Sequence, residues 1–371
     1  MIWLLLMVIA VAIVLERRLS GLPLRRVWYS IVPDRRSIEQ GELFKLHTVI
    51  ENKTHYNISY LLVEEVLPGE VQIEKAQTMD IIVDGGYQVV RNVFFVKRRQ
   101  RLKKSIACTV QRRGVFCFQN AELSFGDFLG LKEKKRTIHQ NQSIVVYPRC
   151  LKDEKLDRVL SDIMGDVSVR SFMFEDPVLV MGYRDYTGHE PLRKISFPMT
   201  AKRNELTVKE YDHTREEMVD IIFDVGYKGN FESYFTQREA AFCVVRTLCE
   251  AFEKRGISYR LITNAYYATM DMHGINVIQS GGCGGNSFGR VLDMLGMASG
   301  ASMCDTRGLL EYTFRNYAQE KEYVYISQRR EQENEGLIHS AERRFGTTLH
   351  CIYAEDYEKA YLESMQGGKR E

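Results

Sequence analysis

The apolar residues of this chain change their period once, and that change constrains the fold more than any other feature. Between Val27 and Tyr147 they recur at every second position in short runs. Phe44, Leu46, Thr48 and Ile50 fall on one face with Lys45, His47 and Glu51 among their neighbours, and the run Ile58 to Val66 stops at Pro68-Gly69. Gln88 to Val96 follows the turn Asp84-Gly85-Gly86, and Ser105 to Val110 precedes Arg112-Arg113-Gly114 and the run Val115 to Phe118. Period two with turn residues at such intervals predicts an all-β sandwich of roughly seven strands over residues 27–147, with no amphipathic helix in it.

From Met218 onward the pattern is different. Met218 to Val225 reads as a strand, Gln237 to Lys254 places Ala241, Val244, Val245, Leu248, Ala251 and Phe252 at helical spacing, and Tyr259 to Ile262 reads as the next strand. After an excursion rich in Met and Gly come helices near 288–295 and 309–318, a strand over 323–326, a helix over 331–345 and a last strand over 348–353. Strands alternating with helices predict a doubly wound parallel sheet, covered on both faces, over residues 218–371. Residues 148–217 lie between as a connector with a short helix, Leu156 to Ile163. The fold class is therefore α+β multidomain, and 371 residues of which 44% are hydrophobic suffice for two separate cores.

Met1 to Leu15 are all apolar, and Glu16, Arg17 and Arg18 close the run. A helix through Arg18 is about 27 Å long, slightly short of a ~30 Å hydrocarbon core, with the two arginines able to snorkel. Residues 1–22 are accordingly expected to form an N-terminal transmembrane helix. No Lys or Arg precedes residue 17, as a secretory n-region would require, so the expected anchor is retained. Arg17, Arg18, Arg25 and Arg26 all follow the span, which places the amino terminus outside and the later domains in the cytoplasm of a single-pass cell-membrane protein. The eight cysteines contain no C-x-x-C pair and read as reduced thiols. A net charge of +2 gives no case for nucleic acid as a partner.

Two places invite a chemical reading. The strand ending at Asp224 continues Val225-Gly226-Tyr227-Lys228. A Mg²⁺ site needs several oxygen ligands; Gly226 supplies none and Lys228 adds a positive charge, so no metal is expected and Asp224 reads as satisfying backbone groups at the sheet crevice. The run Gly281-Gly282-Cys283-Gly284-Gly285-Asn286-Ser287 lacks the lysine of a P-loop and the context of a dinucleotide fingerprint, and reads as a surface loop before a helix. Cys283 as a nucleophile would need a histidine beside it, and spacing brings neither His273 nor His350 there. No cofactor is implied.

The segment Arg184 to Tyr211, RDYTGHEPLRKISFPMTAKRNELTVKEY, is mixed in charge and bent at Pro191 and Pro198, so it reads as an ordered connector against the start of a sheet. Arg184, Tyr186, Gly188, Arg193, Ile195, Ala201, Leu206, Val208 and Glu210 follow the pattern R-x-Y-x-x-G-D-x-x-R-x-I-x-W-x-x-x-A-R-x-x-x-L-x-V-x-E, with His189, Phe197 and Lys202 in place of its aspartate, tryptophan and second arginine. In this the chain resembles the bacterial DUF58 family. Phe125-Gly126-Asp127-Phe128-Leu129-Gly130-Leu131 is similar to the element that closes the first domain of that family, where Asp127 and Gly130 read as shaping a tight turn.

The resemblance implies a von Willebrand factor type A-like C-terminal domain in which Asp224, Gly226 and Lys228 form a degenerate metal crevice. It also implies a membrane-anchored, non-catalytic adaptor or assembly protein working with a MoxR-type AAA+ ATPase and a transglutaminase-like membrane protein. Arg184, Tyr186, Gly188, Arg193, Phe197, Lys202 and Glu210 are then a partner-binding surface, for which a rigid Arg fork and aromatic rings are suited, or else interdomain mortar. The alternative is a hydrolase or transferase with a site in the C-terminal domain, for which the sequence names no paired carboxylates and no activated nucleophile.

Overall fold

The computed structural model describes residues 26–74, 80–126, 133–173, 180–188, 190–211, 219–226, 231–267, 274–280, 285–317 and 321–367, together with Trp3 and Met7. The chain divides into two compact units, Met1–Pro148 and Arg149–Glu371.

The first unit is a pair of sheets. Its strands are β1 (Val27–Pro33), β2 (Ser37–Glu39), β3 (Leu43–Asn52), β4 (Ile58–Pro68), β5 (Val71–Ile73), β6 (Asp80–Asp84), β7 (Tyr87–Val96), β8 (Arg101–Val110), β9 (Gly114–Gly126) and β10 (Glu133–Tyr147). One sheet runs β1-β3-β8-β5 and the other β2-β10-β9-β4-β7-β6. Alternation dictates which side chains meet: Phe44, Leu46 and Ile50 on β3 and Leu61, Val63 and Leu67 on β4 point inward and are buried in one core with Val90, Val96 and Phe118. The strands are more numerous than the seven expected, because β2 and β5 have three residues each, too few to show a period. Asp127 to Leu131, singled out as a turn, lies outside the described residues.

The second unit contains α1 (Glu154–Met173), the small sheet of β11 (Val180–Asp185) and β12 (Thr207–Tyr211), α2 (Phe197–Arg203), β13 (Val219–Phe223), α3 (Phe231–Arg255), β14 (Tyr259–Thr263), β15 (Asn276–Ser280), α4 (Gly285–Met297), α5 (Thr306–Tyr317), β16 (Glu322–Ser327), α6 (Gln332–Phe345), β17 (Leu349–Tyr353) and α7 (Glu358–Gly367). The main sheet has the order β15-β14-β13-β16-β17. It is parallel except for β15, which runs antiparallel to β14 at the edge. All five residues of β13 are buried because both faces are covered. Val219, Ile221 and Phe223 join a core with residues of α1, α3, α4 and α7. Ile222 turns to the other face, where Leu309, Leu310 and Phe314 of α5 and Ile338 of α6 complete a second core.

Three sequence expectations are corrected. The excursion rich in Met and Gly contributes an ordered strand, β15. The helix expected over Leu156 to Ile163 runs for 20 residues. The segment expected to be connector from Arg184 to Tyr211 is paired β structure carrying a helix, since Pro198 sits in the first turn of α2, where its missing N–H costs no hydrogen bond.

The transmembrane helix is corrected as well. Among the described residues no helix is long and apolar enough to cross a membrane. Residues 1–22 lie outside the described residues except Trp3 and Met7, and 15 consecutive apolar residues fall short of the ~20 that a spanning helix needs. The single-pass anchor, the cell-membrane localisation and the cytoplasmic placement derived from it therefore do not stand.

Candidate functional site

Parallel sheets leave a crevice at the carboxyl ends of their strands, where the chain departs in opposite directions from neighbouring strands. Here β13 sits between β14 and β16, and Asp224 is the first residue beyond it, 1% exposed. Its Oδ1 accepts from the Gly226 N–H and from Asn264 Nδ2, both at 2.8 Å. Its Oδ2 accepts from the Thr306 hydroxyl at 2.6 Å and the Tyr325 hydroxyl at 3.0 Å. Four donors on two oxygens occupy all the acceptor positions that a carboxylate offers.

The donors are themselves held. Asn264, just past β14, accepts from the Val225 N–H at 2.9 Å and donates to the Cys304 carbonyl at 3.0 Å. Gln328, just past β16, donates to the Val225 carbonyl at 2.7 Å. Burial, and then the negative Asp224, hold the Tyr325 hydroxyl well above its usual range and so keep it a donor. Beside this knot lies a cavity of about 330 Å³ lined by Gly226, Cys304, Asp305, Thr306, Arg307 and Asn334, among others. Burial, with Asp224 and Asp305 behind it, pushes the Cys304 thiol up to about 11, so it is no thiolate nucleophile at neutral pH.

Among the described residues no three His, Cys, Asp or Glu side chains are gathered as metal ligands. Lys228 and Cys283 lie outside the described residues; Gly285 to Ser287 of the glycine-rich run form the first turn of α4. The sequence reading does not include Asn264, Thr306 or Tyr325. A polar residue directly after an apolar strand run, as at Asp224, is a signal for Asn264 and not for Thr306 or Tyr325, which lie in a helix and inside a strand.

The segment 184–210 is drawn together by its own hydrogen bonds. Tyr186 N–H donates to the Leu206 carbonyl and Ser196 N–H to the Thr207 carbonyl, both at 2.8 Å, and Ile195 bridges to Val208. Ile195, Ser196, Thr207 and Val208 are buried as a result. The Arg184 guanidinium pairs with Glu190, which also accepts from the Thr187 hydroxyl at 2.8 Å and the Thr187 N–H at 3.0 Å. The Thr187 hydroxyl foremost, then Arg184, bring the Glu190 carboxyl down to about 2. Gly188 takes a φ of +94°, in the left-handed region, inside this loop. Leu192 and Phe197 stand out at 74% and 71% exposure, with Leu206 half exposed. Arg193, Lys202 and Glu210 are exposed as well, and His189 lies outside the described residues.

A third polar site lies inside the sandwich. Glu65 of β4 is 1% exposed, and its Oε1 accepts from the Tyr29 hydroxyl at 2.7 Å and the Thr48 hydroxyl at 2.5 Å. Its Oε2 has no hydrogen-bond partner among the described residues. Burial raises the Glu65 pKa from its ordinary value, against those two hydroxyls and Lys104.

No family model matches the chain, and no curated protein matches it. The DUF58 and von Willebrand factor type A resemblance is therefore corrected. It rested on a motif with three substitutions, in which Gly188 also stands one position ahead of the pattern's glycine, and its matching residues have local structural roles: Gly188 is left-handed, Arg184 pairs with Glu190 and Val208 bridges to Ile195. The implied MoxR-type AAA+ ATPase and transglutaminase-like partners, and the membrane-anchored adaptor, go with it. Solved structures similar to part of the chain include the seventh ScaB type I cohesin from Pseudobacteroides cellulosolvens, at 14% identity over 32% of this chain and 92% of that one, with a TM-score of 0.22. A non-cellulosomal cohesin from the archaeon Archaeoglobus fulgidus matches at 15% identity over 35% of this chain and 96% of that one, with a TM-score of 0.22. A CARDB domain from Pyrococcus furiosus matches at 8% identity over 32% and 93%, with a TM-score of 0.20.

Proposed function

We propose that the chain is a binding protein that docks a protein partner on the surface carried by residues 184–210. The observation that supports this reading is the contrast within one short segment. Its backbone is tied by hydrogen bonds and by the Arg184–Glu190 pair, while Leu192 and Phe197 stay largely exposed, as do Arg193 and Lys202. Large apolar side chains held out on a rigid support lose little entropy when covered, and Arg beside an aromatic ring is the usual make-up of an interface centre. Arg193 and Lys202 are exposed cations of the kind that pairs with a partner's carboxylates. The crevice contributes no reaction to this reading, because Asp224 has no acceptor position left for a substrate or an ion.

The test pairs two kinds of variant. Leu192→Asp with Phe197→Asp, and Arg193→Glu alone, should lose proteins that the parent captures in a crosslinked pull-down, with an almost unchanged melting temperature. A large fall in melting temperature from Arg193→Glu would identify the segment as mortar. Capture of the same proteins by fully folded variants would remove it as the docking surface.

A further inference from the structure

We propose that Lys104 and Asn92 join their side chains in an amide bond that ties the two sheets of the sandwich together, with release of ammonia and with Glu65 as the proton carrier. Lys104 lies on β8 of the smaller sheet and Asn92 on β7 of the larger one. Alternation turns both toward the core, where Lys104 Nζ meets Asn92 Oδ1 at 2.6 Å. A C=O bond of about 1.23 Å puts Nζ no more than about 3.8 Å from the Asn92 amide carbon, Cγ. That is close to the ~3–3.5 Å at which a nucleophile and its target need no further approach. Asn92 is 2% exposed, and its Nδ2, the leaving group, has no hydrogen-bond partner among the described residues.

Strand register places Glu65 beside this pair. On the larger sheet Val63 lies opposite Asn92, which makes Glu65 the diagonal neighbour of Asn92 on the same inward face. On the smaller sheet Thr48 lies opposite Lys104, and it is Thr48 that donates to Glu65 Oε1. With Oε1 taken up by Thr48 and Tyr29, the bare Oε2 is the oxygen left to carry a proton. The surroundings are apolar: the Phe94 ring centroid is 5.7 Å from Lys104 Nζ, and Ile50 and Ile106 are buried in the same core. Burial disfavours charge, so it lowers the Lys104 pKa against the pull of Glu65, and it raises that of Glu65 against the two hydroxyls and Lys104. A neutral amine beside a neutral carboxyl is the combination that amide exchange needs. Burial and then Glu65 push the Cys108 thiol up to about 12, so it does not compete for the proton.

The protons and electrons balance. The Lys104 ammonium gives one proton to Glu65 Oε2, and the freed lone pair on Nζ attacks Cγ of Asn92. As the C=O π pair moves on to Oδ1, Oδ1 takes the proton from Glu65, and Glu65 then takes a proton from Nζ. The C=O bond re-forms, Oδ1 returns its proton to Glu65, and the Cγ–Nδ2 bond breaks with Nδ2 leaving as ammonia on the proton that Glu65 delivers. One C–N bond forms and one breaks, no oxidant or reductant takes part, and Glu65 ends as a neutral carboxyl.

The test is the intact mass of the full chain by electrospray mass spectrometry. The parent should weigh one ammonia less than its sequence, and trypsin should release residues 92–97 joined to residues 104–112. Lys104→Arg, which keeps the positive charge without the nucleophile, and Asn92→Ala should both show the full mass of their sequences. Glu65→Gln keeps both reacting side chains and an oxygen for Tyr29 and Thr48, and should also show its full mass while circular dichroism reports a folded chain. A parent that holds its full sequence mass after prolonged incubation overturns the proposal. So does loss of ammonia in Lys104→Arg or in folded Glu65→Gln, because the amide lost, or the proton carrier, is then another. If Glu65→Gln does not fold, the parent's mass and the joined peptides still decide.

Discussion

Asp224 and Glu65 are both carboxylates at 1% exposure, one at the end of a parallel strand and one in the middle of a sandwich, and they are satisfied in opposite ways. Asp224 meets four donors drawn from β16, from α5 and from the turns after β13 and β14, so its charge is shared over the structure that surrounds it. Glu65 meets two hydroxyls on one oxygen and nothing described on the other, and burial raises its pKa. Equal burial therefore does not mean equal cost. A buried charge is tolerated in proportion to the donors built around it, and the crevice has donors where the sandwich interior has mainly side chains from alternating strands.

The largest effect should come from breaking the better-satisfied of the two. Asp224→Ala leaves the Gly226 N–H, the Thr306 and Tyr325 hydroxyls and an Asn264 N–H without their acceptor in a buried place. Loss of one member of such a network costs about 3–5 kcal/mol. Thermal unfolding followed by circular dichroism should show the C-terminal unit melting much lower. A shift no larger than that of a surface substitution would mean that the donors find other acceptors and the crevice is not held by Asp224. Next in size is Tyr325→Phe, which removes one donor and keeps the ring; about 1–2 kcal/mol is expected. If it costs as much as Asp224→Ala, the four hydrogen bonds act as one unit rather than as separate contributions, which a double-mutant cycle between the two positions would measure.

The sequence told more about strands than about sites. The alternation at Phe44, Leu46, Thr48 and Ile50 marks the buried residues of β3, and the apolar run after Met218 marks β13, because burial leaves a period in the residues themselves. Edge strand β15, of the same five residues' length as β13, left little sign, since it lies among glycines and methionines. The pairing of β11 with β12 was hidden for another reason: 21 residues separate Asp185 from Thr207, and no local pattern reports a partner so far along the chain. Sites are harder still. Asp224 stood out by its place, but Thr306 and Tyr325 reach it over sequence separations of 82 and 101 residues. Glu65 was passed over because one acidic residue in a run of alternating apolar ones looks like an outward position, whereas Glu64 beside it is the one that faces out.

The smallest effect, and the one that most sharpens the contrast, is the pH dependence of the sandwich. The folded-state pKa of Glu65 is raised above the ordinary 4.5, so between the two values the folded chain holds a proton that the unfolded chain has released. Stability then falls as pH rises from about 4.5 through the folded value, and is highest below that window, where Glu65 is neutral in both states. Glu65→Gln keeps an oxygen for Tyr29 and Thr48 and cannot ionise, so its stability should be flat across the window where the parent's declines. The amide brings two new hydrogens to the position of Oε2, so the informative quantity is this slope and not the absolute stability at one pH. Urea unfolding followed by tryptophan fluorescence, to which Trp28 on β1 contributes, measures it for the unit concerned. Equal slopes in parent and variant would show that Glu65 does not carry the titration and that its bare oxygen is solvated after all; a slope of opposite sign in the parent would mean that Lys104 and the two hydroxyls outweigh burial.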